Sequence, residues 1–171
     1  MNQPLYIVMV GLPGSGKSFA VEAICRWIRK TCTDNRRIDL VSSDDYIDSV
    51  ADARYSTYDK MFHEHIKDAI RYMNDTRNMA FSRKSHVIHD QTNLSEKKRR
   101  GIISTIPSDY YKVACLVTVN EDMRQGRLQV REFMGKTIPK EIDQSMRETM
   151  TYPTLREGFD NIVTPEFFSC E

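Results

Sequence analysis

Gly11-Leu12-Pro13-Gly14-Ser15-Gly16-Lys17-Ser18 decides the reading of this chain, because it is a complete GxxxxGK[ST] phosphate loop. The apolar run Leu5 to Val10 before it reads as a buried strand, and Phe19 to Lys30 after it reads as a helix. Glycines in that setting permit a tight turn whose backbone N–H groups point inward at an anion. The positive end of the helix dipole faces the same anion. Gly11, Pro13, Gly14, Ser15 and Gly16 are therefore expected to form the cradle. Lys17 is expected to reach the β- and γ-phosphates, and the Ser18 hydroxyl to join a Mg²⁺ shell. A nucleoside triphosphate is the implied ligand.

Working outward, hydrophobic runs alternate with amphipathic segments, as in repeated βαβ units around a parallel sheet. Strands are expected at Leu5–Val10, 38–42, 86–90, 112–119 and 161–164. Tyr58, Met61, Phe62, Ile66, Ala69, Ile70 and Met73 recur at helical spacing and predict one long helix with a buried face. Met123, Val130 and Met134 predict a weaker stripe on a later helix. With 171 residues and no linker or repeat, the chain reads as one compact α/β domain, 1–171. Its ligand site is expected at the carboxyl edge of the strands.

Composition narrows the classes. Lys and Arg total 25 against 24 Asp and Glu, so a protein that coats long nucleic acid is disfavoured, whereas one gripping a strand end is not. Cys25, Cys32, Cys115 and Cys170 show no metal-ligand or disulfide spacing. With neither a signal-peptide pattern nor a membrane-length apolar run, a cytoplasmic protein without membrane association is expected.

Other residues must say what happens to the triphosphate. Asp44 and Asp45 follow the second strand, where a carboxylate can accept a proton from an incoming hydroxyl or merely cap the next helix. Asp90 closes the third strand and suits a Mg²⁺-holding or acceptor-orienting carboxylate. By local chemistry Asn93 and Ser95 read as turn and cap residues, and His89 as structural. Arg124, Arg127 and Arg131 fall on one side of a helix, where they could close over the phosphates or form a solvated face. The run Lys97-Lys98-Arg99-Arg100 spreads around its helix and reads as mostly solvent-exposed, with attraction of a polyanionic acceptor as the alternative.

Taken together, these segments resemble the kinase domain of the polynucleotide 5′-hydroxyl kinases. The resemblance runs almost end to end, through the phosphate loop, Ser43-Asp44-Asp45-Tyr46, Asp90-Gln91-Thr92-Asn93-Leu94 and Arg131-Glu132. It continues in Gly135-Lys136-Thr137-Ile138-Pro139 and, most specifically, in Tyr152-Pro153-Thr154-Leu155-Arg156-Glu157-Gly158-Phe159-Asp160. It implies a three-layer P-loop kinase fold with a central parallel sheet and a helical lid over about 124–138. It further implies ATP- and Mg²⁺-dependent phosphorylation of the 5′-hydroxyl end of DNA or RNA. By motif position Asp44 becomes the general base, and Lys17, Arg127 and Arg131 act on the transferring phosphoryl group. Asp90 and Asn93 become acceptor-side residues, with Asp90 and Ser18 at the metal.

The sequence departs from that family in places. Ser42 and Ser43 stand where an arginine or asparagine often precedes the aspartate, and Phe133 and Met134 stand where a second lid arginine is frequent. Ile47 occupies a position where phage-type relatives carry an arginine for the acceptor's phosphate; Arg54 or Lys60 are the candidates to compensate. A kinase of a nucleoside, nucleotide or other small hydroxyl compound is the alternative enzyme. A non-transferring nucleotide switch is the alternative class.

Overall fold

The computed structural model describes residues 3–169. Five parallel strands form one sheet in the order β2-β3-β1-β4-β5, with β1 at Leu5–Val10, β2 at Ile38–Val41, β3 at His86–His89, β4 at Tyr111–Leu116 and β5 at Asn161–Val163. β2, β3 and β5 each end one residue before the expected limit, and β4 starts one residue earlier and ends three earlier than expected, because pairing stops where the chain leaves the sheet at its carboxyl edge. Six α-helices accompany them: α1 at Lys17–Thr31, α2 at Asp44–Ala53, α3 at Tyr58–Arg83, α4 at Glu96–Ile103, α5 at Glu121–Phe133 and α6 at Lys140–Thr149.

β1 is buried along its whole length, as a central parallel strand covered on both faces must be. Leu5, Ile7 and Met9 face a core built with Ile24 and Ile28 of α1, whereas Tyr6, Val8 and Val10 face Met73, Ala80 and Ile102. Phe168 closes the α1 side by an edge-on contact with Trp27, and Phe167 is half exposed; Cys170 lies outside the described residues. This is a P-loop kinase-like α/β sandwich, with β1 delivering the phosphate loop at the centre of the carboxyl edge.

Four expectations are corrected by packing. The long helix runs ten residues past its last predicted apolar position to Arg83, where Lys84 ends it at φ 53°. Ile70, placed in its buried stripe by spacing, is exposed because it lies to the side of the line through Ala69, Met73 and Ala80 that packs inward. Met123, Val130 and Met134 are also exposed, since the buried position of α5 is taken by Arg124.

The fourth correction is energetic. Arg99, read as part of a solvated basic run, is fully buried. Its guanidinium meets the Glu157 carboxylate at 2.7 and 2.8 Å, and it donates to the carbonyls of Asn93, Leu94, Thr151 and Tyr152. Glu157 also accepts from the Thr154 N–H at 2.8 Å, capping the short 3₁₀ turn Leu155–Glu157. The Tyr152–Asp160 block is thereby bolted to the start of α4.

Candidate active site

The phosphate loop bridges β1 and α1, and its backbone demands glycine. Gly14 and Gly16 adopt φ +79° and +105°, conformations that side chains rarely tolerate, and a Cβ on Gly16 would stand 2.9 Å from Arg127 Nη1. The loop is pinned from outside by the Gly11 N–H donating to the Thr92 carbonyl at 3.0 Å. The first turn of α1 carries no acidic residue, leaving its dipole free to attract an anion. Ser15 Oγ is buried with no hydrogen-bond partner. An unspent buried hydroxyl, two glycines at positive φ and a bare helix start together fit a bound polyphosphate.

Lys17 Nζ donates to the carbonyls of Gly11 and Leu12, both at 3.0 Å. Burial lowers its pKa to about 8, with Asp90 pulling the other way. Asp90, at the end of β3, is the complement: burial raises its carboxyl to about 6 against the attraction of Lys17. The electrostatic neighbours of these two residues define the site, since they include Asp44, Asp45, Arg131 and Lys98. Elements far apart in sequence thus converge on one charged cluster at the carboxyl edge.

Asp44 opens α2 and is exposed to incoming molecules. Its N–H donates to Ser42 Oγ at 3.1 Å, and Tyr58 Oη donates to its Oδ1 at 2.8 Å. Tyr58 thus holds the carboxylate from the first residue of α3. It was legible only as a core position; nothing in its spacing marks it as a partner of Asp44. Gln91 Nε2 donates to Ser43 Oγ at 3.0 Å, so the residue between Asp90 and Thr92 ties the β3 and β2 edges together.

The three arginines of α5 separate. Arg131 lies in the electrostatic cluster with Lys17, Asp90 and Tyr58. Arg127 Nη1 caps the loop from above, donating to the carbonyls of Gly14 and Ser15 at 3.3 and 3.0 Å. Arg124 is buried and structural, donating to the Pro13 carbonyl and pairing with Glu121 and Asp143. The connection from α5 to α6 is anchored on α3: Asp59 carboxylate oxygens accept from the Thr137 N–H, and Lys136 Nζ lies 4.6 Å from the Tyr58 ring centre.

One expectation fails here. Asn93, assigned to the acceptor, is fully buried with φ 47°, and its amide donates to the Met9 carbonyl at 2.8 Å. It clips β1 to the turn after β3 and has no face toward a substrate. Arg54, a candidate replacement for the cation absent at Ile47, is an exposed side chain 3.8 Å from the equally exposed Glu64. Ile47 itself is fully buried in the α2–α3 core, so that position has no access to any ligand.

Ser18, on the first turn of α1, is exposed. No group of three or more His, Cys, Asp or Glu side chains among the described residues could hold a metal. A divalent ion here would therefore draw mainly on phosphate and water oxygens, which fits Mg²⁺ on Ser18 and Asp90.

This geometry can be set beside known proteins. The family profile described as an AAA domain matches residues 6–153. The chain belongs to that family. No curated protein sequence matches it. Solved structures share the fold at low identity. A provisionally assigned kinase from Chloroflexus aurantiacus J-10-fl superposes with a TM-score of 0.64 at 17% identity, over 96% of this chain and 85% of that one. A chain of the Pnkp1/Rnl/Hen1 RNA repair complex gives 0.64 at 20% identity, over 94% of this chain but 47% of that one. Shikimate kinase from Acinetobacter baumannii, in complex with shikimate, gives 0.52 at 16% identity, over 93% and 82%. No helix among the described residues is long and apolar enough to cross a membrane.

Proposed function

We propose that this AAA-domain chain is an ATP-dependent kinase that phosphorylates the 5′-hydroxyl end of a DNA or RNA strand. One observation carries the proposal: an exposed carboxylate, Asp44, held by Tyr58 in the same charged cluster as the phosphate-loop lysine. A switch that only binds nucleotide has no use for such a group.

In the proposed reaction the acceptor hydroxyl gives its proton to Asp44 while its oxygen bonds to the γ-phosphorus. The bond from that phosphorus to the β–γ bridging oxygen breaks, and ADP leaves. Lys17 and the loop N–H groups orient the triphosphate, and Arg131 meets the charge spreading over the moving phosphoryl group. Arg127, already resting on the loop, is placed to exchange its carbonyl partners for phosphate oxygens. Mg²⁺ held through Ser18 and Asp90 would neutralise charge on the triphosphate.

The strand-end acceptor is supported by the exposure of Asp44 and by cations around it in a chain of near-zero net charge. A second reading, a kinase of a small hydroxyl compound, is favoured by Ile47, whose burial removes one expected contact to an acceptor phosphate. The test is γ-³²P transfer from ATP to a 5′-hydroxyl oligonucleotide, compared with nucleosides and small polyols. Labelling of the oligonucleotide with the highest kcat/KM is expected. Efficient labelling of small alcohols with none on oligonucleotides would replace the proposal by the second reading.

A further inference from the structure

A groove of about 300 Å³ opens between the start of α4 and the length of α6. Thr92, Lys98, Ser145 and Thr149 supply polar groups to its wall, and Ile142 and Met146 supply an apolar strip. No residue of α6 is buried, so this strip is not consumed by the core. Lys98 belongs to two places at once, because it lines the groove and also acts electrostatically on Asp44 and Lys17. The groove also borders the phosphate loop, since the carbonyl of Thr92 in its wall accepts the Gly11 N–H at 3.0 Å.

The other cations of the cluster have prior engagements. Lys17 is bonded to the loop carbonyls, Arg127 to Gly14 and Ser15, and Lys136 to Asp48 at 2.6 Å. α2, which carries Asp44, contains no Lys or Arg at all. Arg131 interacts with Lys17 and Asp90, on the side of the triphosphate. The Lys98 ammonium group has no hydrogen-bond or ion-pair partner among the described residues, and it is the cation of the cluster that lines the groove.

We infer that this groove receives the first nucleotide of the acceptor strand, with Lys98 binding the internucleotide phosphate next to the 5′-hydroxyl and the Ile142–Met146 strip packing on the base. The inference rests on the strand-end reading above and adds to it the residues that recognise the strand. Phosphate next to an apolar strip is the chemistry of a nucleotide, and hydroxyls of Ser145 and Thr149 suit either phosphate or sugar oxygens.

The experiment compares Lys98→Ala, Lys98→Arg and Ser145→Leu with the native protein on three acceptors: a 5′-hydroxyl oligonucleotide, a nucleoside 3′-monophosphate and the unphosphorylated nucleoside. For Lys98→Ala, KM should rise about 10- to 100-fold for the two phosphate-bearing acceptors and stay unchanged for the nucleoside, as loss of one charge-assisted contact implies. The slope of log Kd against log salt for single-stranded oligonucleotide should fall by about 0.7. Lys98→Arg should restore most of the loss. Ser145→Leu, on an exposed face, should obstruct oligonucleotide use while leaving ATP binding intact.

Equal losses on all three acceptors would overturn the inference and leave the strand-end reading standing, with Lys98 acting on the transferred phosphoryl group instead. No loss on any of them would overturn it too. If the native protein phosphorylates only small polyols, the strand-end reading fails and the subsite falls with it.

Discussion

Replacing Arg99 by alanine should be among the most damaging single changes in this protein, although Arg99 touches no reacting group. Its side chain and that of Glu157 are both fully shielded from solvent, with Nε 2.7 Å from the carboxylate. Seven hydrogen bonds converge on the guanidinium, five from the side of α4 and Thr151–Tyr152 and two from Glu157. Truncation leaves a buried carboxylate and several carbonyls without donors, a loss of about 3–5 kcal/mol for a broken buried pair. For a chain of this length each kcal/mol shifts Tm by about 2–4 °C, so a fall of about 6–20 °C is expected by calorimetry at pH 7. The pair itself need not be favourable, because both charges were desolvated to form it. Arg99→Met with Glu157→Leu should therefore recover much of what the single change loses. A Tm within 2 °C of native for Arg99→Ala would refute the reasoning. So would a double variant no better than the single one.

Other outcomes follow from the site. Gly16→Ala should weaken ATP binding, measured by calorimetric titration, while the far-UV spectrum stays native, because a Cβ strains a backbone held at φ +105°. Asp90 has a folded pKa of about 6 against an ordinary 3.8, so the folded chain binds the extra proton between those values. Stability is then lost as pH rises through that window, and Asp90→Asn should raise Tm at pH 8 by about 6–12 °C, on the order of 3 kcal/mol, with little gain at pH 4. Arg131→Ala should lower kcat about 100-fold or more with little change in ATP affinity, if it meets charge that develops only during transfer. A native rate would place Arg131 among surface charges.

Fold and site were not equally legible. The phosphate loop and β1 could be read because their signal is local: eight contiguous residues between a strand and a helix. Ends of strands and helices shifted where tertiary packing, not periodicity, decides. Arg99 was misread because its partner Glu157 lies 58 residues away, and a basic run looks the same whether one member turns inward or none does. Asn93 carried a motif's assignment, yet its positive φ and its bond to Met9 belong to the turn chemistry that local reading had favoured. Tyr58 escaped for a third reason. An aromatic in an apolar stripe shows no chemistry until the fold brings it to Asp44.

Asp44 is the hinge of the account, and single-turnover transfer by Asp44→Asn is its most direct measurement. With saturating ATP·Mg²⁺ and a 5′-hydroxyl oligonucleotide, transfer should fall by about 10²–10⁴-fold, the usual worth of a general base, while ATP affinity stays near native. Transfer at the native rate would show that the proton leaves by another route and that Asp44 is only the first residue of a helix.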